Sequence, residues 1–260
     1  MVTTKPKTIR PISDFNLTEG KYTACFAMNG AEVTQAQKLR YEVFNLELGE
    51  GLPESERTEL DQDKYDPQCS HLIIIHNPSG AVVGTYRMQG YQHAVEHEGF
   101  YSATEFDISQ VPAQVLSKTM EVGRACIHAD HRNNRVLFLL WKGLTAFLLY
   151  NELRYLFGCC SLTSQKAAEG QQLMAQLRSE NYVRADFCVA AKPGYECVAE
   201  PSGTALKTPK LFQSYLNYGA KVCSEPAIDR MFKTIDYLVI LDIEELSDFS
   251  RRLFFPKEYL

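Results

Sequence analysis

The chain has 260 residues, 45% of them hydrophobic and 23% charged, the balance of a globular protein able to bury a substantial core. Its net charge of −5 and the lack of any RNA- or DNA-reading motif argue against general nucleic-acid binding, although a local basic patch is compatible with an acidic whole. The eight cysteines contain no C-x-x-C pair, the longest apolar run (136–150) is broken by Lys142, and the first residues lack an apolar signal core, so the expectation is a reduced, cytoplasmic protein without zinc-finger chemistry or a membrane span.

Residues 1–20 read as an N-terminal tail and 21–260 as one domain. KYTACFAM (21–28) is strand-like, and GAEVTQAQKLRYEVFNLEL (30–48) has helical spacing that turns Val33, Leu39, Val43, Phe44 and Leu46 toward a core. The acid-rich stretch 49–68, with two prolines, reads as a long loop, and loops of that length are often functional. SHLIIIHN and AVVGTYRMQ flank Pro78-Ser79-Gly80, the signature of a hairpin, and 101–117 mixes helix and turn. MEVGRACIH (120–128) then reads as a strand, HRNNRVLFLLWKGLTAFLLYNELR as a helix and YLFGCCSLTS (155–164) as a buried strand. A helix over 166–180, a strand near 182–191 and a Pro/Gly-rich excursion at 192–209 come next. Helix-like KLFQSYLNYG, strand-like AKVCSEPAI and the strand DYLVILDI (236–243) follow. Helices and strands alternate in a mixed α/β pattern around one sheet.

MEVGRACIH has the look of a sheet interior yet carries Glu121, Gly123, Arg124 and His128. In a regular strand Glu121 and Arg124 point to opposite faces. A bulge at Gly123 would turn both to one side and leave backbone N–H groups free for a ligand carbonyl; the plainer alternative is a buried structural ion pair. Upstream lie Arg40, Phe44, Asp61, Asp63, Asp66 and Arg87. The aspartates lack EF-hand spacing, so a hard-cation site is not expected and a solvated acidic loop is their bland reading. Arg87, in an otherwise apolar strand, calls for a carboxylate partner. Cys126 and His128 share a strand face in a regular pleat, as a nucleophile pair would, but no third group orients them. Cys159 and Cys160 read as packing, and FSRRLFFPKEYL (249–260) mixes basic and aromatic residues in a way that suits contact with a membrane surface.

R-x-x-V-F at 40–44, D-x-x-D at 63–66, VVGTYR at 82–87 and E-x-x-R at 121–124 stand in the order seen in acyl-homoserine-lactone synthases, which have the GNAT-type acyltransferase fold. VFNLELGEGLPES, YDPQCSHLII, GFYSATEFDIS, EVGRACIH and GAKVCSEPAIDR resemble still more closely the ornithine N-acyltransferases that make lyso-ornithine lipid from acyl-carrier-protein thioesters, over roughly 22–245. The tryptophan usual after the R-x-x-V-F helix is missing, which argues against S-adenosylmethionine as substrate.

The resemblance implies an α/β GNAT-like fold, a mixed central sheet with splayed strands flanked by helices. It implies transfer of a (3-hydroxy)fatty acyl group from acyl carrier protein to the α-amino group of an amino acid, with no cofactor and no metal. By the same resemblance Glu121, Arg124 and Arg87 are the catalytic candidates, and Arg40, Phe44, Asp63, Asp66 and Phe100 the substrate-binding ones. The turn ADHRNNRV (129–136) has no glycine to cradle a CoA pyrophosphate. Its His131, Arg132 and Arg135, with Lys142 beyond, make a basic edge suited to an acidic carrier protein. The product suggests work at the inner face of a membrane. Alternatives are acylation of glycine, tyrosine or lysine, lactone synthesis, a CoA-dependent acetyltransferase, and a non-catalytic carrier- or lipid-binding module.

Overall fold

The computed structural model describes residues 12–255. Strands β1 (Asn16–Glu19) and β2 (Tyr22–Phe26) precede helix α1 (Gly30–Tyr41), which runs on as a π-helical turn over Glu42–Glu47. α2 (Ser55–Thr58) is a single turn within the acidic loop. The hairpin β3 (Ser70–His76) and β4 (Ala81–Gly90) leads through α3 (Tyr91–Glu96) and α4 (Ala113–Leu116) to β5 (Thr119–Ile127). Helix α5 (Asn134–Tyr150), β6 (Tyr155–Leu162) and α6 (Ala167–Ser179) follow. α7 (Lys210–Asn217), β7 (Lys221–Val222), β8 (Ala227–Asp229), β9 (Thr234–Asp242) and α8 (Asp248–Phe254) complete the described chain.

All nine strands join one sheet in the order β1-β2-β3-β4-β5-β6-β9-β7, with β8 also on β9. α5 is apolar on most sides because it is enclosed: Leu139, Leu140, Leu144 and Phe147 are buried, and α8 stacks Phe254 on Trp141 with ring centroids 4.9 Å apart. Asn133 starts the helix by accepting a hydrogen bond from the Val136 N–H. No helix among the described residues is long and apolar enough to cross a membrane.

Five expectations need correction. Residues 12–20 are not tail: β1 pairs with β2, and Ile12, Phe15 and Leu17 pack on the core (1–11 lie outside the described residues). Leu46 is 67% exposed because the π-helical turn inserts one extra residue per turn and rotates it off the core face. Residues 182–191 form only isolated bridges, Val183 to Val222, Val189 to Ser224 and Ala191 to Phe106. AKVCSEPAI is split into β7 and β8, with Pro226 between them. At the C-terminus Phe254 and Phe255 are buried and Phe249 alone of these aromatics is exposed, so most of the expected membrane-facing aromatic surface is core; 256–260 lie outside the described residues.

One feature of the sheet positions everything else. The parallel strands β5 and β6 pair only through Thr119↔Tyr155, Met120↔Leu156 and Glu121↔Phe157, although both continue for several residues. At the last point of contact a Cβ on Gly158 would sit 2.3 Å from the Val122 carbonyl oxygen, so the close approach there requires glycine. Beyond it the strands splay.

Candidate active site

A cavity of about 240 Å³ opens where β5 and β6 part, with residues 122–125 on one wall and 158–161 on the other. β4 and β5 step from Arg87↔Gly123 to Thr85↔Cys126, so β5 spends Arg124 and Ala125 opposite Tyr86 alone. That is the expected bulge, displaced by one residue. Gly123 keeps its ladder partner, and Arg124 takes the left-handed conformation at φ +51. A bulky residue there costs about 1–3 kcal/mol and persists only where its surroundings hold it.

What holds it is a closed circuit of charge. Arg40 donates to Asp61 (2.7 Å) and with two nitrogens to Asp66 (2.8 and 2.9 Å). Arg87 donates to Asp66 (3.1 Å) and to Asp63 (2.5 Å). Arg124 donates to Asp63 (2.9 Å) and lies 3.2 Å from Asp61. Three arginines and three aspartates thus alternate in a ring, each carboxylate bridging two guanidiniums. Burial pushes the carboxyls of Asp63 and Asp66 up, but the neighbouring arginines outweigh it and hold both below the ordinary carboxylate range. The acidic loop is therefore no solvated loop: Arg40 and Asp61 are each 0% exposed, and the ring staples the loop to α1, β4 and β5.

Glu121 forms no hydrogen bond or ion pair with Arg87 or Arg124, so the structural ion pair of the plainer alternative does not form. Its two oxygens accept from the Ser102 N–H and Oγ (2.7 Å each), the Tyr101 N–H (2.8 Å) and Gln89 Nε2 (3.1 Å). It lines the cavity, and so do Phe44, Arg87 and Arg124. Arg40, Asp63, Asp66 and Phe100 are not among the lining residues. Phe100 is a core residue, packed edge-on against Phe157 at 4.9 Å. The pairing of Cys126 with His128 does not form either: Cys126 packs against Leu39 and Val43, and His128 caps the following turn through Asp130 N–H.

The basic edge carries less charge than its residues suggest. Arg132 is held bidentately by Glu47 (2.6 Å twice), and Lys142 pairs with Glu19 (3.2 Å). His131 hydrogen-bonds Tyr22, and desolvation together with His76 and His128 lowers its pKa. Arg135 remains as an exposed cation.

Sequence reasoning passed over a second group of carboxylates. Asp236, at the start of β9, lines the cavity beside Cys159. Glu105 and Asp229 lie close behind, and all three residues are buried. Burial, then the Asp229 charge, pushes the Asp236 carboxyl up to about 6; burial, then Asp236 and Asp229, pushes Glu105 well above the usual range. The signal that exposed Glu121 was available for Asp236 too: an acid set between Ile235 and the apolar run YLVIL.

Residues 39–142, from α1 through the bulged strand into α5, match the acetyltransferase (GNAT) domain family. The chain is 31% identical over 236 residues to the L-ornithine N(alpha)-acyltransferase of Rhizobium meliloti (strain 1021), covering 85% of this chain and 80% of the relative. It is 29% identical over 251 residues to the enzyme of the same name from Rhodobacter capsulatus, covering 90% and 94%. Among solved structures, an N-acyl amino acid synthase from uncultured soil microbes aligns over 92% of this chain and 98% of its own at 10% identity, with a TM-score of 0.49. The fold is of the GNAT type, as the sequence motifs implied.

Proposed function

The chain belongs to the L-ornithine N(alpha)-acyltransferase family, and from that premise we propose that it moves a (3-hydroxy)fatty acyl group from the thioester of an acyl carrier protein to the α-amino group of ornithine. The observation that carries this reading is the gap between β5 and β6, with a bulge on one wall and apolar side chains such as Met88, Leu156, Phe212 and Leu241 around it. A thioester lying in that gap would have its carbonyl beside the bulge, where N–H groups outside the ladder can stabilise the oxyanion. The amine nitrogen forms the new C–N bond and the C–S bond breaks, the carrier's thiolate leaving as a free thiol with the second proton that the attacking nitrogen gives up.

Before attack the ammonium must lose a proton. Glu121 takes it by exchanging the bond from Gln89, the longest of its four at 3.1 Å. Arg124 and Arg87, on the cavity wall, supply donors for the acceptor's α-carboxylate, and Phe44 closes the apolar side. Arg40, Asp63 and Asp66 act through the ring that orients those two arginines rather than by touching substrate, and Phe100 acts by packing under Phe157. Carrier protein is favoured over CoA because the first turn of α5 has no glycine and its Val136 N–H is already capped by Asn133. Carrier docking would use the edge of His131, Arg132 and Arg135, with Arg135 as its exposed charge. The thioester is a substrate, so the reading calls for no cofactor. It places the work in the cytoplasm, near the inner membrane into which an acylated product partitions.

Incubation of the purified protein with 3-hydroxyacyl carrier protein and ornithine should release carrier thiol and yield N-acylornithine by mass spectrometry. Thiol release from acyl-CoA but not from the carrier, or carrier binding without turnover, would overturn it.

A further inference from the structure

Asp229 and Asp236 stand on the paired strands β8 and β9, Glu105 joins them from the segment before β5, and all three are buried, yet no arginine or lysine pairs with any of them among the described residues. Asp236 accepts from Thr234 Oγ1 (2.9 Å); Asp229 accepts from Tyr101 Oη (3.2 Å) and from the N–H groups of Met231 and Phe232 (2.7 and 3.0 Å). Neither carboxylate oxygen of Glu105 has a hydrogen-bond partner, though the residue is 1% exposed. Its carboxylate lies within 4.8 Å of Asp236 and of the Cys159 sulfur, both of which form the cavity wall. The contrast with the ring is internal to one molecule: there every carboxylate bridges two guanidiniums, here three acids share a buried corner in which Arg124, the cation facing Asp236, is already held by Asp63 and Asp61 and pairs with none of them. Buried charge without a counter-ion is strongly unfavourable. The corner therefore waits either for protons or for a positively charged guest.

Its position says which guest. Arg124 and Ser161 lie three and four residues beyond the last β5–β6 pair, Glu121↔Phe157, and Ser161 is the register partner of Asp236. The acidic corner and the bulge thus face each other at similar depth across the gap. Resting on the acyltransferase reading above, we propose that Asp236, Glu105 and Asp229 form the receptor for the acceptor's side-chain ammonium. An ammonium has three donors and no acceptor, the complement of carboxylates that only accept. The corner would select a diamino acid, and it would also decide which nitrogen reacts. An amine held among carboxylates stays protonated and has no lone pair, so attack falls to the α-nitrogen. Burial and mutual repulsion raise the carboxyls of Glu105 and Asp236, so in the empty site protons stand in for the guest. A metal ion fits the ligand spacing equally well, but the Cys159 thiol, pushed up by burial and then by Glu105, is a poor ligand while it keeps its proton.

The experiment compares ornithine with norvaline, which has the same α-centre but no side-chain nitrogen, using acyl carrier protein as donor. The wild-type protein should prefer ornithine by at least a hundredfold in kcat/KM. Asp236→Asn and Glu105→Gln should each cut that preference at least tenfold, through KM for ornithine, and norvaline should lose less. A wild type indifferent to the side-chain nitrogen overturns the inference without any variant being needed. So does a preference that survives both exchanges, or an equal fall in kcat for both amines, which would make Asp236 a proton acceptor. Activity lost to a chelator and restored by a divalent ion would give the corner to a metal. Failure of the wild type to acylate any amine from the carrier would overturn the acyltransferase reading as well.

Discussion

Asp66→Asn tests whether the charge circuit is what fixes the acidic loop. Asp66 receives two hydrogen bonds from Arg40 (2.8 and 2.9 Å), one from Arg87 (3.1 Å) and one from the Asp63 N–H (2.9 Å). The exchange leaves three guanidiniums facing two carboxylates in a place closed to water, and turns an amide –NH₂ toward donors. Breaking a buried pair by removing one partner costs about 3–5 kcal/mol, a large part of the roughly 5–15 kcal/mol that stabilises a typical domain. For a chain of this size each kcal/mol moves the melting point by about 2–4 °C, so the variant should melt roughly 10 °C lower at pH 7 by calorimetry or circular dichroism. The pH dependence has a definite sign. Asp63 and Asp66 are held below their ordinary value of 3.8, so the stability they confer is complete above that pH and is lost as the pH falls through their lower folded-state values. The gap between wild type and variant should therefore be widest near neutrality and narrow below about pH 4. A variant that melts within about 2 °C of the wild type at pH 7 would refute the reasoning.

Asp236 has the opposite sign. Its folded-state value of about 6 stands above the ordinary 3.8, so the wild type without ligand should be most stable below 3.8 and lose stability as the pH rises through 6. The groups facing it are Glu105, Asp229, Cys159, Arg124, Ser161 and Thr234, with Tyr101 close by, and Arg124 is the cation among them. Asp236→Asn should melt at the wild-type temperature near pH 4 and higher than wild type at pH 8; a lower melting point at pH 8 would show that the carboxylate is compensated in the empty site. Glu121→Gln loses one carboxylate oxygen and sets an –NH₂ against the Ser102 and Tyr101 donors. Turnover at saturating substrates should drop by about 10²-fold or more if this group moves the proton, and near-normal turnover would remove it from that role.

Much of the fold is legible in chain order because each element carries its own local signal. The hairpin around Pro78-Ser79-Gly80 is bounded by turn residues, α5 by an Asn cap, β6 is marked by a short run of aromatic and apolar residues, and β9 by an apolar run with Ile and Val. The failures share a cause: they depend on partners far away in sequence. β1 is a strand because β2 lies beside it, and Leu46 is exposed because a π-helical turn shifts its phase. Glu121 and Arg124 stand out in MEVGRACIH, but the natural guess, that they answer each other, is wrong; each finds partners in segments at least nineteen residues away. The aspartates of the loop are visible as acids, yet only the folded chain shows that their charge is already spent on arginines. The unspent charge is on Glu105, Asp229 and Asp236; the two aspartates share one local segment, and only the folded chain brings Glu105 to them.

Three rungs, 119–121 against 155–157, are all that stitch one half of the sheet to the other. Past those rungs β5 and β6 each keep a neighbour on their outer side and none on the side where they face each other. Any elongated guest with amides of its own can slip in there as a temporary tenth strand, satisfying main-chain groups that the protein itself leaves without company. Recognition of that kind is indifferent to side-chain identity. The side chains on the walls of the slot are thereby left out of that contact.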